Sequence, residues 1–340
     1  MDYIGLPKIE LHAHLTGSVS RTTLHEIWKG KKAAGKTELE DPLEVMPDRK
    51  HDYNLEAFFT LFSNYIYHLL ADKKSIQYAT RSVLENFLAD GVVYLELRTT
   101  PRAASDISAD MYIQLLLDTI KDFENTYPQM HTRLILCVDR RHSLAMAESI
   151  LSLATRLRSE EGPGVVGVDL CGDPTARPGG EISMFSPVFK QAASNGLGIT
   201  VHFAEAEASG SYDELRTLLS WNPGRLGHVI WEDDAAKKEI AERELCLELC
   251  LSCNVQAGMI HGGFQNHHFK HWFEMKRPRI SLATDDVGVI GSPLSNEYRL
   301  VAQHFSLDRA QICHLARQGI DGIFGGEKER ERLRDIMWTE

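Results

Sequence analysis

The sequence predicts an α/β protein, a single (β/α)8 TIM barrel with extra helices and a polar insertion after the first strand. Three observations predict it. Eight short apolar runs alternate with helical segments along the chain. No Gly-x-Gly-x-x-Gly follows the first run, as a doubly wound dinucleotide-binding sheet would carry. Residues suited to metal or acid–base chemistry stand at the ends of five of the runs, where barrel enzymes keep their chemistry.

The first strand covers residues 8 to 15, and Thr16-Gly17-Ser18 ends it before a helix from about Arg21 to Trp28. From Lys29 to Asn54 the chain is polar and mixed in charge, which beside a strand end reads as a solvated loop or as a lid. Apolar spacings of three and four predict helix over 55–62 and 76–88, stopped by Asp90-Gly91. The second strand is Val92 to Arg98. Helix and strand then alternate: helix 109–124, strand 133–138, helix 143–158, strand 165–170, helix 184–195, strand 198–202 and a helix near 211–220. Strand 225–229, helix 234–243, strand 245–251, helix 267–275 and strand 279–284 follow, with helices to the end. Several strands are continuous apolar runs, as expected when both faces are buried. No internal repeat or linker divides the chain, so one domain over 1–340 is expected.

With 43% hydrophobic and 25% charged residues among 340, the chain has ample material for a core. Its net charge of −11 repels nucleic-acid backbones and argues against such a partner. No stretch is apolar for the roughly 18 residues a membrane span needs, and the N-terminal residues lack a basic and apolar leader pattern. Six cysteines in a chain this long make no disulfide framework. A cytoplasmic monomer without membrane contact is expected.

His12 and His14 are one residue apart, so in a strand they share a face and can hold one metal ion. Strand four ends in Asp169-Leu170-Cys171-Gly172-Asp173, strand five in His202-Phe203-Ala204-Glu205, strand six in Gly227-His228 and strand eight in Thr284-Asp285-Asp286. His12, His14, His202 and Asp285 make a plausible ligand set for a divalent metal, with room for water. Singly, each has a structural explanation: a core histidine, a surface histidine or a helix N-cap. Their joint position at the ends of one barrel favours a metal site. Glu205, three residues beyond His202, can lean into the site and hold or give a proton. Asp285 and Asp286 are adjacent and cannot project alike in a regular strand, so one is expected on the metal and the other on substrate or water.

Two competitors are weaker. Cys250 and Cys253, three apart within a strand, would face opposite ways, and no second pair exists. His267 and His271 have the helical spacing of a zinc protease, but His268 stands where glutamate is needed, which favours surface histidines at a helix start.

The run from Leu6-Pro7-Lys8 through Ile9-Glu10-Leu11-His12-Ala13-His14-Leu15, with Gly17-Ser18 after it, resembles the opening signature of the adenosine deaminase family. Gly172-Asp173-Pro174, His202-Phe203-Ala204-Glu205, Arg225-Leu226-Gly227-His228 and Ser281 to Asp286 extend the resemblance over about residues 6–324. Four local features resemble the adenosine deaminase-like branch that acts on N6-methyl-AMP: Leu97 to Arg102, Val138 to Arg141, Leu247 to Leu251 with Asn254-Val255, and Asn266 to Phe269. Thr16 stands where that branch has asparagine, Val229 where glycine is usual, and Val287 where lysine is frequent; His68 falls where the branch pattern is shifted.

The resemblance implies one Zn²⁺ per chain on His12, His14, His202 and Asp285, with a water completing the shell. It implies attack of that water at C6 of a purine nucleotide, Glu205 protonating N1, and His228 orienting or deprotonating the water. Asp286 would hold the nucleophile or the N7 edge, and the Gly172 N–H would meet N3. Thr99, Thr100, Pro101 and Arg102 would meet a phosphate, with His14, Thr16 and Asp139 also against the substrate. N6-methyl-AMP is the expected substrate and adenosine the alternative. A different zinc barrel hydrolase would usually want a bridging lysine at the end of strand four, where residues 169–173 contain none. A non-catalytic binding descendant would be expected to have lost a ligand.

Overall fold

The computed structural model describes residues 1–47, 59–103, 106–177 and 181–340. Its centre is a sheet of eight strands: β1 (Lys8–His14), β2 (Val92–Thr99), β3 (His131–Asp139), β4 (Val165–Cys171), β5 (Gly198–Phe203), β6 (Arg225–His228), β7 (Cys246–Leu249) and β8 (Arg279–Leu282). They pair in chain order, all parallel, with helices between them. All eight sequence-predicted strands are present, and the chain is a (β/α)8 barrel.

The ring closes at the site. Beyond the end of β8, the Asp285 N–H donates to the His12 carbonyl (2.8 Å) and the His14 N–H to the Asp285 carbonyl (3.0 Å). Just below, the Glu10 carboxylate takes the place of ladder bonds, accepting from the His12 N–H (2.8 Å) and from both the Thr284 N–H (3.0 Å) and hydroxyl (2.8 Å). Buried backbone donors must find acceptors, and here a side chain supplies them across the seam.

The strands are buried on both faces, which is why they read as apolar runs. Several of the helices start on side-chain caps: Ser20, Asp72, Ser108, Ser143, Ser211, Asp233 and Asp308 each accept a first-turn N–H.

Three expectations are corrected. The helix from Arg21 runs to Ala33 rather than ending at Trp28, because lysines are good helix formers and Lys31 and Lys32 favour its C-terminal turn. Residues 34–47 are then tied back to it: the Trp28 indole N–H donates to the Leu39 carbonyl (2.8 Å), His25 pairs with Asp41 (2.8 Å) and Arg21 donates to the Met46 carbonyl (3.1 Å). The described part of the insertion is therefore packed against that helix, and 48–54, with 55–58 of the next expected helix, lie outside the described residues. The seventh strand stops at Leu249, so Cys253 lies on a following helix, Leu251–Gln256, and the opposite-face argument for the cysteine pair does not apply. All six cysteines are free and buried. The helix expected from 267 begins at Phe269, and His267 is buried while His268 is half-buried with its ring turned to the His228 carbonyl, so neither is a surface histidine. No helix among the described residues is long and apolar enough to cross a membrane.

Candidate active site

The strand ends converge as the barrel rule requires. His14 Nε2 and His202 Nε2 are 3.2 Å apart, and Asp285 Oδ1 lies 3.5 Å from His12 Nε2 and 3.4 Å from His14 Nε2. A tetrahedral ion with metal–nitrogen bonds of ~2.0–2.1 Å would separate its ligand atoms by about 3.3 Å. These three separations are of that size, and all four donor atoms lie within 4.8 Å of one another, close enough to share one ion. His12 Nε2 is buried without a hydrogen-bond partner among the described residues, as a ligand atom would be.

The far sides of these rings are held by carboxylates. Glu248 Oε2 lies 2.6 Å from His12 Nδ1, and Asp169 Oδ1 lies 3.2 Å from His202 Nδ1, with the Leu170 carbonyl at 3.1 Å. This fixes the proton on the rear nitrogen and turns the front nitrogen to the centre. The carboxylates are themselves clamped. Arg98 reaches Glu248 (2.8 Å), Asp169 (3.2 Å) and the Leu11 carbonyl (2.6 Å), while Arg225 bridges Glu248 (2.5 Å) and Glu96 (2.7 Å). Burial alone would raise Glu248, and Arg98, Arg225 and the His12 bond together outweigh it and hold the carboxyl well below its ordinary range. Three buried carboxylates, Glu96, Asp169 and Glu248, face two guanidinia, Arg98 and Arg225, and a fourth, Asp285, stands against His12 and His14. A divalent cation on the histidine cluster would offset the difference.

Around the cluster the backbone is forced. Ala204, His228, Val229 and Asp285 all have positive φ (51°, 65°, 55° and 61°). L-residues pay for this conformation, and such costs gather at functional sites. The turn at Asp285 resolves the adjacency of Asp285 and Asp286, since both line the cavity at the strand end. Asp286 needs Gly17 opposite it, where a Cβ would stand 1.5 Å from Asp286 Oδ1. Gly172 has φ +96° and a Cβ there would meet the Asp139 carboxyl carbon at 2.7 Å, so the clash that reserves this position for glycine is with Asp139. Val229, where glycine was expected, keeps positive φ and is fully buried.

Glu205 stands over the cluster, its Oε2 buried without a partner among the described residues. Burial raises its carboxyl to about 7, His202 opposing and Asp285 reinforcing the shift. Asp286 is also raised, by burial and by the charges of Asp285 and Glu205. His228 Nε2 lies 3.8 Å from Glu205 Oε1 and 3.9 Å from Asp285 Oδ2.

From this floor a cavity of about 450 Å³ opens, a size typical of small-molecule sites. His14, Thr16, Thr99, Thr100, Arg102, Asp139, Gly172, His202, Glu205, Asp285 and Asp286 line it, whereas Pro101 is buried off the wall and His68 is exposed away from it. Thr99 bonds the Tyr112 hydroxyl (2.8 Å). Arg102 stacks over the Tyr67 ring at 4.4 Å and donates to the Leu70 carbonyl (3.1 Å), leaving its Nη1 buried without a partner among the described residues. The Asp139 carboxylate is engaged by Arg141 through Nε (2.8 Å) and Nη2 (2.6 Å).

The sequence reading missed the carboxylates and guanidinia behind the site. Their signal was present as charged residues inside apolar strands, in Leu95-Glu96-Leu97-Arg98 and Cys246-Leu247-Glu248-Leu249. It also missed Tyr67, Tyr112 and Arg141 on the cavity wall, which no local pattern distinguishes.

The sequence model described as adenosine deaminase matches residues 7–339. The chain is similar to an N6-methyl-AMP deaminase of Danio rerio, 33% identical over 346 residues covering 99% of this chain and 96% of that one. In three dimensions it is similar to an Arabidopsis N6-mAMP deaminase, with TM-score 0.89, 33% identity and coverage of 99% of both chains. It is equally similar to an Arabidopsis ADAL complexed with IMP, with TM-score 0.89, 32% identity and coverage of 99% and 97%.

Proposed function

The chain belongs to the adenosine deaminase family, and on that premise we propose that it is a zinc-dependent deaminase hydrolysing N6-methyl-AMP to IMP and methylamine. The reaction class rests on the three-histidine, one-aspartate cluster beneath a protonatable Glu205. Zinc held by His12, His14, His202 and Asp285 would supply a nucleophilic oxygen at neutral pH by acidifying water.

The chain's own residues supply the rest. Glu205, with a carboxyl near 7, can carry a proton at neutral pH and give it to ring N1 as the water oxygen bonds to C6. The water's spare proton restores Glu205. The C6–N6 bond then breaks, the amine leaving with the proton of the new hydroxyl as C6=O forms. A protonated Asp286 donates to ring N7, and His228 faces the attacking oxygen. The Gly172 N–H meets ring N3 from a positive-φ position that the Asp139 carboxylate keeps as glycine.

One observation carries the nucleotide over the nucleoside. Arg102 holds a buried guanidinium nitrogen, unpartnered among the described residues, at a cavity wall that also bears the Thr99 and Thr100 hydroxyls. Such a donor is expensive to leave unpaired and suits a phosphate oxygen. With adenosine, the alternative substrate, that cost would remain. The similarity to an ADAL that binds IMP, the product of this reaction, supports the same choice.

The test is to compare turnover of N6-methyl-AMP, AMP and adenosine by purified protein of known metal content. Preferred release of methylamine with about one zinc per chain is expected. Turnover of adenosine but not of N6-methyl-AMP would overturn the substrate assignment.

A further inference from the structure

Behind His228 runs a chain of side chains that the reaction as described does not use. His228 Nδ1 is 3.0 Å from Asn254 Nδ2, and Asn254 Oδ1 is 3.3 Å from His267 Nε2. His267 Nδ1 in turn is 3.0 Å from the backbone nitrogen of Phe269. All three side chains are buried.

The directions of these bonds follow from their far end. A peptide N–H only donates, so His267 Nδ1 accepts from Phe269. Burial holds the His267 imidazole well below its ordinary value, so the ring is neutral and its one proton sits on Nε2. That proton can go only to an acceptor, which sets the Asn254 carbonyl oxygen toward His267 and its NH₂ toward His228. His228 Nδ1 must accept, and its proton is left on Nε2, the atom facing Glu205 and Asp285. A second contact fixes the ring's base: His268 Nε2 donates to the His228 carbonyl at 2.6 Å, holding the residue in its positive-φ turn.

We propose that Asn254 and His267 are positioning residues that set His228 as its Nε2–H tautomer, so that it donates a hydrogen bond to the attacking oxygen and does not serve as its base. Of the two roles that the family resemblance leaves open, orienting and deprotonating, this selects the first. The inference rests on the deaminase reading for the identity of the oxygen, but the tautomer itself is a property of the protein without substrate. A donor aimed at the attacking oxygen fixes which lone pair faces C6, and so acts by orientation at the moment the bond forms. A base would instead need a bare nitrogen at the same position.

The test is Asn254→Asp in the zinc-loaded enzyme. A carboxylate of the same shape can only accept, so it keeps the His267 bond and draws the His228 proton to Nδ1. Nitrogen–proton correlation spectra of histidine-labelled protein should find the His228 proton on Nε2 in the wild type and on Nδ1 in the variant. Turnover number should fall about 10²-fold or more, with KM, zinc content and melting temperature little changed. His267→Met, which cannot donate, should also lower kcat, and His267→Gln, whose amide N–H reaches as far as Nε2, should restore it.

A wild-type His228 proton on Nδ1, or unchanged turnover in Asn254→Asp, overturns the proposal. The wild-type spectrum decides the tautomer even where a variant fails to fold. Failure of the wild type to act on any purine would overturn the functional reading while leaving the tautomer result standing.

Discussion

Replacing Arg102 by alanine separates the two ends of the cavity. The guanidinium makes one bond to the Leu70 carbonyl, stacks on Tyr67 and leaves Nη1 unpartnered among the described residues. In the free protein, Arg102→Ala therefore loses one hydrogen bond and the cation–π contacts to Tyr67 and Tyr112, a cost of about 2 kcal/mol in stability. With the nucleotide it also loses a charge-assisted bond to phosphate, about 3 kcal/mol, or ~150-fold in kcat/KM. The phosphate is remote from C6, so the loss is read in kcat/KM, wherever it divides between binding and chemistry. With N6-methyladenosine there is no phosphate to lose, and kcat/KM should change no more than a few-fold. Arg102→Lys, which keeps the charge but not the planar fork, should fall between. Steady-state assays on both substrates, with thermal melts of each variant, decide the matter. Equal losses on nucleotide and nucleoside would refute the phosphate contact and reduce Arg102 to a wall residue.

Glu205→Gln should keep its zinc and lose turnover by ~10²-fold or more, and wild-type kcat should decline as pH rises through about 7, where Glu205 gives up the proton it must donate; a variant with normal turnover would remove Glu205 from the mechanism. Glu248→Gln, which frees His12 Nδ1 and leaves two buried guanidinia short of a carboxylate, should weaken metal affinity about 10–100-fold and stability by roughly 3–5 kcal/mol. Metal titration and denaturant melts check this, and unaltered affinity would contradict the role of the carboxylate behind His12. Glu297, on the helix Leu294–Phe305, is raised to about 7 by burial, with the Ser252 and Ser292 bonds opposing the shift. A carboxyl raised on folding contributes stability below its unfolded value near 4.5 that is lost as pH climbs through 7, on the order of 3 kcal/mol. Glu297→Gln can make the same bonds without titrating, so it should match the wild type near pH 4.5 and exceed it near pH 8; parallel stability curves would show that Glu297 is not the group responsible.

Much of this protein was determined by local sequence. Alternation of apolar runs with helical periodicity specifies the eight strands because each strand is buried on both faces and each helix on one. The position of His12, His14, His202, Glu205, His228 and Asp285 at run ends is enough to gather the chemistry, since a parallel barrel points every strand end to the same mouth. The charges inside β2 and β7 were also legible as breaks in apolar runs, yet their partners were not. Arg98 meets Glu248 across 150 positions and Arg225 meets Glu96 across the barrel, pairings that exist only once the ring closes.

Other features were decided by tertiary structure alone. His267 and His268 carry the sequence pattern of a helix start on a surface, but the helix begins two residues later and the pair turns inward against Asn254 and His228. Whether His228 accepts or donates cannot be read from the chain, because the answer is passed along hydrogen bonds from the Phe269 peptide through two other side chains. Sequence determined which groups reach the mouth of the barrel. Folding decided which way their protons point, since a proton's place is set by the neighbours that three-dimensional packing supplies.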